Sequence, residues 1–247
     1  MEQKSIITQT ALLLVLISSL LPVILYGQKG IDSVHHVKKT VDFSIDGQGT
    51  ATNWGKTEWL DIVPQNSKTQ DGRLDTQAKV LYSETGIYFL FRCKDQVLTA
   101  TMDADFESLW NEDVVEVFLW PDERSPVYFE YELSPLNYEL ILLISNREDN
   151  FASWRPFNYQ GDRRTRHMTA VEDGEKQSRA DISAWTAEFF IPFKLLHPLN
   201  NAKPEPGTKW RANLYRIDYD SGQTLLAWQP IEKSFHEYQR FGTFLFE

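Results

Sequence analysis

Short runs rich in Val, Ile, Phe, Tyr and Trp recur along most of this chain, each closed by residues that favour turns. They cover 41–45, 76–83, 87–93, 114–120, 127–133, 138–144, 165–171, 186–191, 209–217, 224–228 and 241–246. Asp46-Gly47, Thr85-Gly86, Asp173-Gly174, Pro206-Gly207 and Ser221-Gly222 punctuate them. β-Branched and aromatic side chains suit a pleated, half-buried surface, and glycine supplies the backbone freedom of tight turns. Helix signals are scarce: Pro192-Phe193-Lys194-Leu195-Leu196 has room for one turn. Glu84-Thr85-Gly86-Ile87, between two strong runs, reads as a hairpin. The fold class this rhythm predicts is all-β, an antiparallel β-sandwich with jelly-roll-like topology.

Of the 247 residues 42% are hydrophobic and 13% aromatic, enough for one large core, and no repeat or second domain is visible. The formal net charge of −10 argues against a nucleic-acid partner, which needs a basic surface. The local exception, Arg163-Arg164-Thr165-Arg166, reads as a solvated turn. Residues 1–27 read as an export signal: Lys4 is the positive start, 11–26 is apolar apart from Ser18, Ser19 and Pro22, and Gly27 suits cleavage. The apolar run is shorter than the ~20 residues a spanning helix prefers, and Pro22 would kink it. Cleavage, a periplasmic or extracellular location, and no membrane attachment afterwards are therefore expected. Residues 28–39 form a polar leader and 40–247 the β-sandwich domain. Cys93, the sole cysteine, has no disulfide partner and reads as a small core residue.

The segment from Leu109 to Trp120 carries the strongest functional signal. A polar loop bearing Trp110 runs into an alternating strand with Glu116 in its interior. A carboxylate inside a strand is costly unless it meets water, a partner or a ligand. An aromatic plate beside a carboxylate suits a sugar ring, whose C–H face covers the indole while its hydroxyls donate to the acid. In 127–133, alternation sends Tyr128, Glu130 and Glu132 to one face and Phe129, Tyr131 and Leu133 to the core. Hairpin pairing with the preceding strand would bring Glu116 close to both acids. A solvent-facing acidic strip is the plainer alternative. Glycoside hydrolysis is a second one, since the backbone spacing of Glu130 and Glu132 is compatible with an acid pair. No feature of the sequence raises one carboxyl's pKa beside the other, which favours binding over chemistry.

Arg216 shares a strand face with Trp210 and Asp218, while Asn213 lies on the other. Arg216 reads equally as a donor to sugar hydroxyls or as a structural ion pair. Phe235 and His236 occupy the loop before the closing strand, a usual place for recognition residues. The five His never fall at zinc-ligand spacing, so no metal site is read from motifs. Asp103, Asp105, Glu107, Glu112 and Asp113 lack the spacing of a calcium loop and read as solvated acids.

Taken in order, several of these segments resemble carbohydrate-binding module family 9 and its secreted bacterial relatives. They are Ile45-Asp46-Gly47 with Trp54, the hairpin 82–91, Trp110 to Phe118, Phe129 to Glu132, Trp185 to Pro192, Trp210 to Asp218, and Phe235 to Phe246. The resemblance implies a sandwich that holds a sugar between two aromatic plates, Trp110 and Phe235, with Glu116 as a hydroxyl-binding acid. Glu130 stands where the family places Arg, and Glu132 where a neutral hydrogen-bonder is expected, so the local charge is reversed. Structural calcium enters only through this resemblance; no cofactor is required. The expectation is a non-catalytic carbohydrate-binding protein. Trp110 and Phe235 would stack, Glu116, Glu130 and Glu132 would accept hydroxyls, and Asn213, Arg216 and His236 would donate or position. It would support polysaccharide breakdown beside partner glycoside hydrolases. The alternatives are a glycoside hydrolase using Glu130 and Glu132, or a cell-envelope interaction domain.

Overall fold

The computed structural model describes residues 33–65, 72–148, 150–157 and 159–247. The export signal and the first part of the leader lie outside the described residues. The strands are β1 (Val34–Lys39), β2 (Leu60–Pro64), β3 (Thr76–Tyr82), β4 (Gly86–Lys94), β5 (Val114–Trp120), β6 (Val127–Leu133) and β7 (Glu139–Arg147). They continue with β8 (Asn150–Pro156), β9 (Arg166–Glu172), β10 (Ala184–Pro192), β11 (Lys209–Asp218), β12 (Thr224–Ala227) and β13 (Gly242–Phe246). Among the described residues no helix is long and apolar enough to cross a membrane.

The strands follow the order β8-β7-β6-β5-β11-β12-β2-β3-β4-β10-β9, with β13 beside β11 and β1 bridging β13 and β3. All pairings along this path are antiparallel; β1 alone pairs in parallel. The sheet folds into two layers, β8-β7-β6-β5-β11 and β2-β3-β4-β10-β9, which is the all-β sandwich expected. Between them lies the main core. Val115, Val117 and Leu119 of β5 and Phe129, Tyr131 and Leu133 of β6 meet Phe89 and Phe91 of β4 and Phe189 of β10. Tyr131 and Phe189 have ring centroids 4.7 Å apart, so the layers touch directly. Cys93 is buried in this core as a free thiol, as the sequence suggested.

Both layers also bury much of their outer faces. Trp54, Leu81, Tyr88, Leu90 and Phe190 form a cluster outside the β4 layer, and a larger one lies outside the β5 layer. The second cluster includes the residues of interest for function.

Several expected elements differ. Residues 41–45 form no strand; this segment is held by side chains instead. Buried Glu188 of β10 accepts the backbone N–H groups of Asp46 and Gly47 and the Trp54 indole N–H, each at 2.8 Å. Glu188→Ala should therefore cost about 3 kcal/mol in a urea unfolding experiment, because it strands two buried donors and one half-buried donor; an unchanged midpoint would mean the loop is held by other contacts. The second half of the leader, Val34–Lys39, is strand β1, with His35 and Val37 turned inward. Its alternation contains few apolar residues, so the sequence signal was faint. β2 and β8 were likewise not expected.

Candidate functional site

β5 and β6 pair so that Glu116 lies directly opposite Glu132, and Phe118 opposite Glu130. Tyr215 of β11 lies opposite Glu116 on the other side. Cross-strand partners share a face, so Glu116, Glu130, Glu132, Phe118, Tyr128 and Tyr215 line the outer side of the first layer. The three acids converge as hairpin pairing predicts. They are not a solvent-facing strip, because Glu116, Glu130 and Glu132 are 3%, 4% and 0% exposed.

Trp110 sits in a short 3-10 turn, Leu109–Asn111, that enters β5 and packs on β6. The acids around it pin this loop. Asp113 accepts the backbone N–H of Thr99 at 2.6 Å and of Tyr219 at 2.9 Å. Glu112 accepts the N–H of Met102 at 3.0 Å, and the Tyr219 hydroxyl donates to the Trp110 carbonyl at 3.0 Å. Glu107 accepts from Asp103 and Ala104, and Asp105 from Glu139. Asp105 and Glu107 stay exposed, as expected of solvated groups, whereas half-buried Glu112 and buried Asp113 satisfy amides of the surrounding loops. Trp110 is left half-buried over the acid-bearing face.

The ring that meets Trp110 is not Phe235. Phe235 is 8% exposed and lies flat on Tyr215, centroids 4.0 Å apart at 13°. Its carbonyl accepts the Tyr215 hydroxyl at 2.9 Å, so it belongs to the packed layer beneath the surface. Trp154 of β8 occupies that place, edge-on to Trp110 with centroids 6.0 Å apart. Phe151, also on β8, lies 4.4 Å from the His236 ring. Residues 151 and 154 would face opposite ways on a regular strand. The pairing shifts between Ser145 and Asn146, opposite Ser153 and Phe151 respectively, which leaves Ala152 as an extra residue. The bulge brings both aromatics to one face. Phe151 and Trp154 are 41% and 46% exposed, so two large rings reach solvent there. β8 escaped sequence reading because every residue of it is exposed and none is β-branched. The exposed aromatics themselves were the signal to follow.

His236 Nδ1 lies 2.6 Å from the Tyr128 hydroxyl and 3.8 Å from Glu130 Oε2. Burial pushes its pKa down to about 4, so the ring is neutral at ordinary pH. Asn213 is fully buried: its side chain accepts the Gln229 and Leu214 N–H groups, both at 2.9 Å, and donates to Tyr215 at 2.8 Å. It clamps the Gln229 segment and has no group left for a ligand. Arg216 lies on the opposite side of its strand, between the layers and fully buried. Its Nη2 reaches Asp95 at 2.9 Å and Asp218 at 2.7 Å. Strand parity separates it from Glu116, so of its two readings the structural ion pair is the one formed.

Burial is the main cause that raises the pKa of all three glutamates. Glu130 is pushed up to about 8, while Glu116 and Glu132 are raised further by their acidic neighbours. Nothing in the one-dimensional pattern hints at such a shift; the tertiary cover over β5 and β6 supplies it. Among the described residues no Lys or Arg forms an ion pair with any of the three; Glu130 and Glu132 bond each other side chain to side chain, and Glu132 also takes the Trp110 backbone N–H. Calcium, raised by the family resemblance, has one cluster to consider: Asp95, Asp113, Asp218 and Asp220, whose oxygens lie within 4.8 Å of one another. The Arg216 guanidinium supplies one positive charge to these four acids and bonds Asp95 and Asp218, backbone amides occupy both Asp113 oxygens, and buried Asp220 Oδ1 has no partner, so a cation would be held through Asp220 beside the Arg216-bonded aspartates.

Three solved structures share this architecture. A putative carbohydrate-binding protein from Bacteroides uniformis matches with a TM-score of 0.72 at 16% identity, over 87% of this chain and 99% of that one. A carbohydrate binding module family 9 protein from Caldicellulosiruptor kristjanssonii in complex with cellotriose matches with a TM-score of 0.62 at 16% identity, covering 87% and 94%. A Caldicellulosiruptor kristjanssonii family 9 module in complex with glucose gives 0.61 at 15% identity, covering 87% and 96%. At these identities the likeness is one of fold. No curated protein matches the chain. The family model for carbohydrate family 9 binding domain-like proteins matches residues 45–247, nearly the whole described sandwich, and the chain belongs to that family.

Proposed function

We propose that this protein binds carbohydrate without chemically altering it, at the outer face of β5, β6 and β8. The observation that carries this reading is the β8 bulge, which sets solvent-exposed Phe151 and Trp154 on the same side as Trp110 and the three buried acids. Exposed rings backed by polar groups suit the flat C–H face and hydroxyl edge of a sugar. Because Trp154 rests edge-on against Trp110, a sugar enters by turning Trp154 aside. That ring stands on the terminal strand of its layer, where it can rotate with little repacking. Phe235 and Asn213 support the floor, and His236 orients beside Glu130. A glycosidase pair needs one ionised and one protonated carboxyl; burial shifts Glu116, Glu130 and Glu132 in the same direction rather than apart. In this reading the protein is exported by its N-terminal signal, requires no cofactor, and holds polysaccharide for separate glycoside hydrolases.

Calorimetric titration against a glycan panel that includes cellotriose and glucose tests the proposal. Trp110→Ala or Trp154→Ala should weaken binding of any active glycan about tenfold or more, the worth of one to two kcal/mol of lost ring contact. Full affinity in both variants would remove this face from consideration, and no binding across the panel would remove the function.

A further inference from the structure

The basic run Arg163-Arg164-Thr165-Arg166 lies outside the aromatic face and borders a cleft of its own. We infer that this cleft takes the carboxylate of an acidic sugar, a uronic acid unit, clamped by Arg164 and Arg166. The choice of a sugar as the carrier of that carboxylate rests on the proposed function.

The cleft encloses about 590 Å³, within the ~300–1,000 Å³ usual for small-molecule sites. Ser44 and Ile45 wall one side, Asn137 of the β6–β7 turn another, and Arg164, Arg166 and Met168 at the start of β9 the third. These walls are fixed by contacts of their own. Behind Ile45, Glu188 holds the Asp46 and Gly47 N–H groups. His167 Nδ1 donates to Asn137 Oδ1 at 3.1 Å, and the Thr169 hydroxyl donates to the Pro135 carbonyl at 2.8 Å. Both bonds tie the turn of one layer to the edge strand of the other, so the cleft is shaped before a ligand enters.

In a chain of formal charge −10, this cleft carries positive charge that its own acids leave available. Arg164 is exposed, and among the described residues its guanidinium has no hydrogen-bond or ion-pair partner. Arg166 lies over the Phe190 ring at 4.3 Å and donates to the Tyr88 hydroxyl at 3.4 Å, and neither contact neutralises it. Asp42, which shares the Tyr88 hydroxyl, also accepts from Thr85. Glu139, behind His167, accepts the Thr165 hydroxyl. Asn137 Nδ2 donates to nothing among the described residues. What Arg164, Arg166 and Asn137 leave uncommitted are therefore N–H donors. A carboxylate only accepts, and its two oxygens match the fork of a guanidinium. Half-buried Ile45 and Met168, which is 45% exposed, set apolar surface beside these donors for the C–H face of a sugar ring. A long polyanion meets only this small patch on an otherwise acidic protein, which disfavours nucleic acid.

The test is isothermal titration of the purified protein at about pH 7 and low salt, where a surface charge contact is least screened. The probes are trigalacturonate, trimannuronate, the methyl ester of each, cellotriose and tripolyphosphate. The better-bound acid should bind at least ~10-fold tighter than its own ester, which keeps the sugar and removes the charge. Arg164→Gln should bring acid and ester to within about threefold of each other. The wild-type comparison decides alone if that variant fails to fold. Equal affinity for acid and ester, or an unchanged ratio in Arg164→Gln, overturns the assignment of this cleft. Tripolyphosphate binding as tightly as the better acid overturns it in favour of a general anion site. Silence from both acids while cellotriose binds overturns it and leaves the proposed function standing. Silence from every saccharide overturns both.

Discussion

Replacing Arg216 with Met should destabilise the fold by ~3–5 kcal/mol, the usual consequence of removing one partner of a buried ion pair. Arg216 is fully buried and bonds Asp95, Asp218, Thr76 and the Lys94 carbonyl, thereby joining β11 to β3 and to the end of β4. Asp113 lies in the same acidic group. Even with the guanidinium present, burial pushes Asp95 up to about 7 and Asp113 up to about 8. Without it the acids would take up protons more readily still. The penalty should therefore be smaller at about pH 5.5, where protonation relieves it, than at about pH 8. Chemical denaturation of both proteins at the two pH values measures this. Equal losses at both would show that the aspartates do not titrate in the fold.

Stability should also fall as pH rises from about 5.5 to about 9. The folded protein holds Glu116, Glu130, Glu132, Asp95 and Asp113 with raised pKa values. Between the unfolded carboxyl value of ~4 and the folded value, the native state keeps protons that the unfolded chain has released, so each pH unit costs up to ~1.4 kcal/mol per group. Glu130, pushed up to about 8, contributes roughly 4 kcal/mol of that loss by itself. At the acid end the sign reverses. His35 and His236, lowered to about 4 by burial, make folding less favourable as pH drops below ~6.5, because the unfolded chain binds protons there that the native rings refuse. The two trends set the maximum on the acid side of neutrality. Glu130 alone should lower the Tm by about 10 °C between pH 5.5 and pH 9 for a chain of this size, and the other raised acids add to that fall. A flat or rising profile would mean that water reaches the three glutamates. Glu132→Gln should flatten the alkaline limb.

The ligand prediction and the pH prediction depend on the same burial, and that burial was only half legible beforehand. β5 and β6 occupy Val114–Trp120 and Val127–Leu133, the bounds that alternation suggested. Because neighbouring strands in a hairpin share faces, the meeting of Glu116 with Glu130 and Glu132 could be read from spacing. So could the exile of Arg216: it alternates away from Asn213 and Tyr215, and one ligand face cannot contain both parities. Trp110 was legible too, as an aromatic on a loop leading into an acid-bearing strand.

Phe151 and Trp154 were not legible, and their absence led to Phe235 being given the role of second plate. β8 has no buried side chain, so it carries no hydrophobic period, and its bulge shifts the alternation midway. The pinning role of Asp113 and Glu112 was hidden for another reason: a carboxylate that accepts backbone amides looks, in one dimension, the same as one facing water.

Period-two patterning and turn residues are local properties, and they were enough to specify strands, the sandwich class and which side chains share a face. Burial is not local. Whether three glutamates on one face are wet or covered depends on the Trp110 turn, the loop around Phe235 and an edge strand arriving from distant parts of the chain. Only their assembly removes water from the carboxyls, shifts their protonation and places exposed rings above them, because desolvation is set by everything packed within a few ångströms and by nothing in the residue's own neighbourhood along the chain.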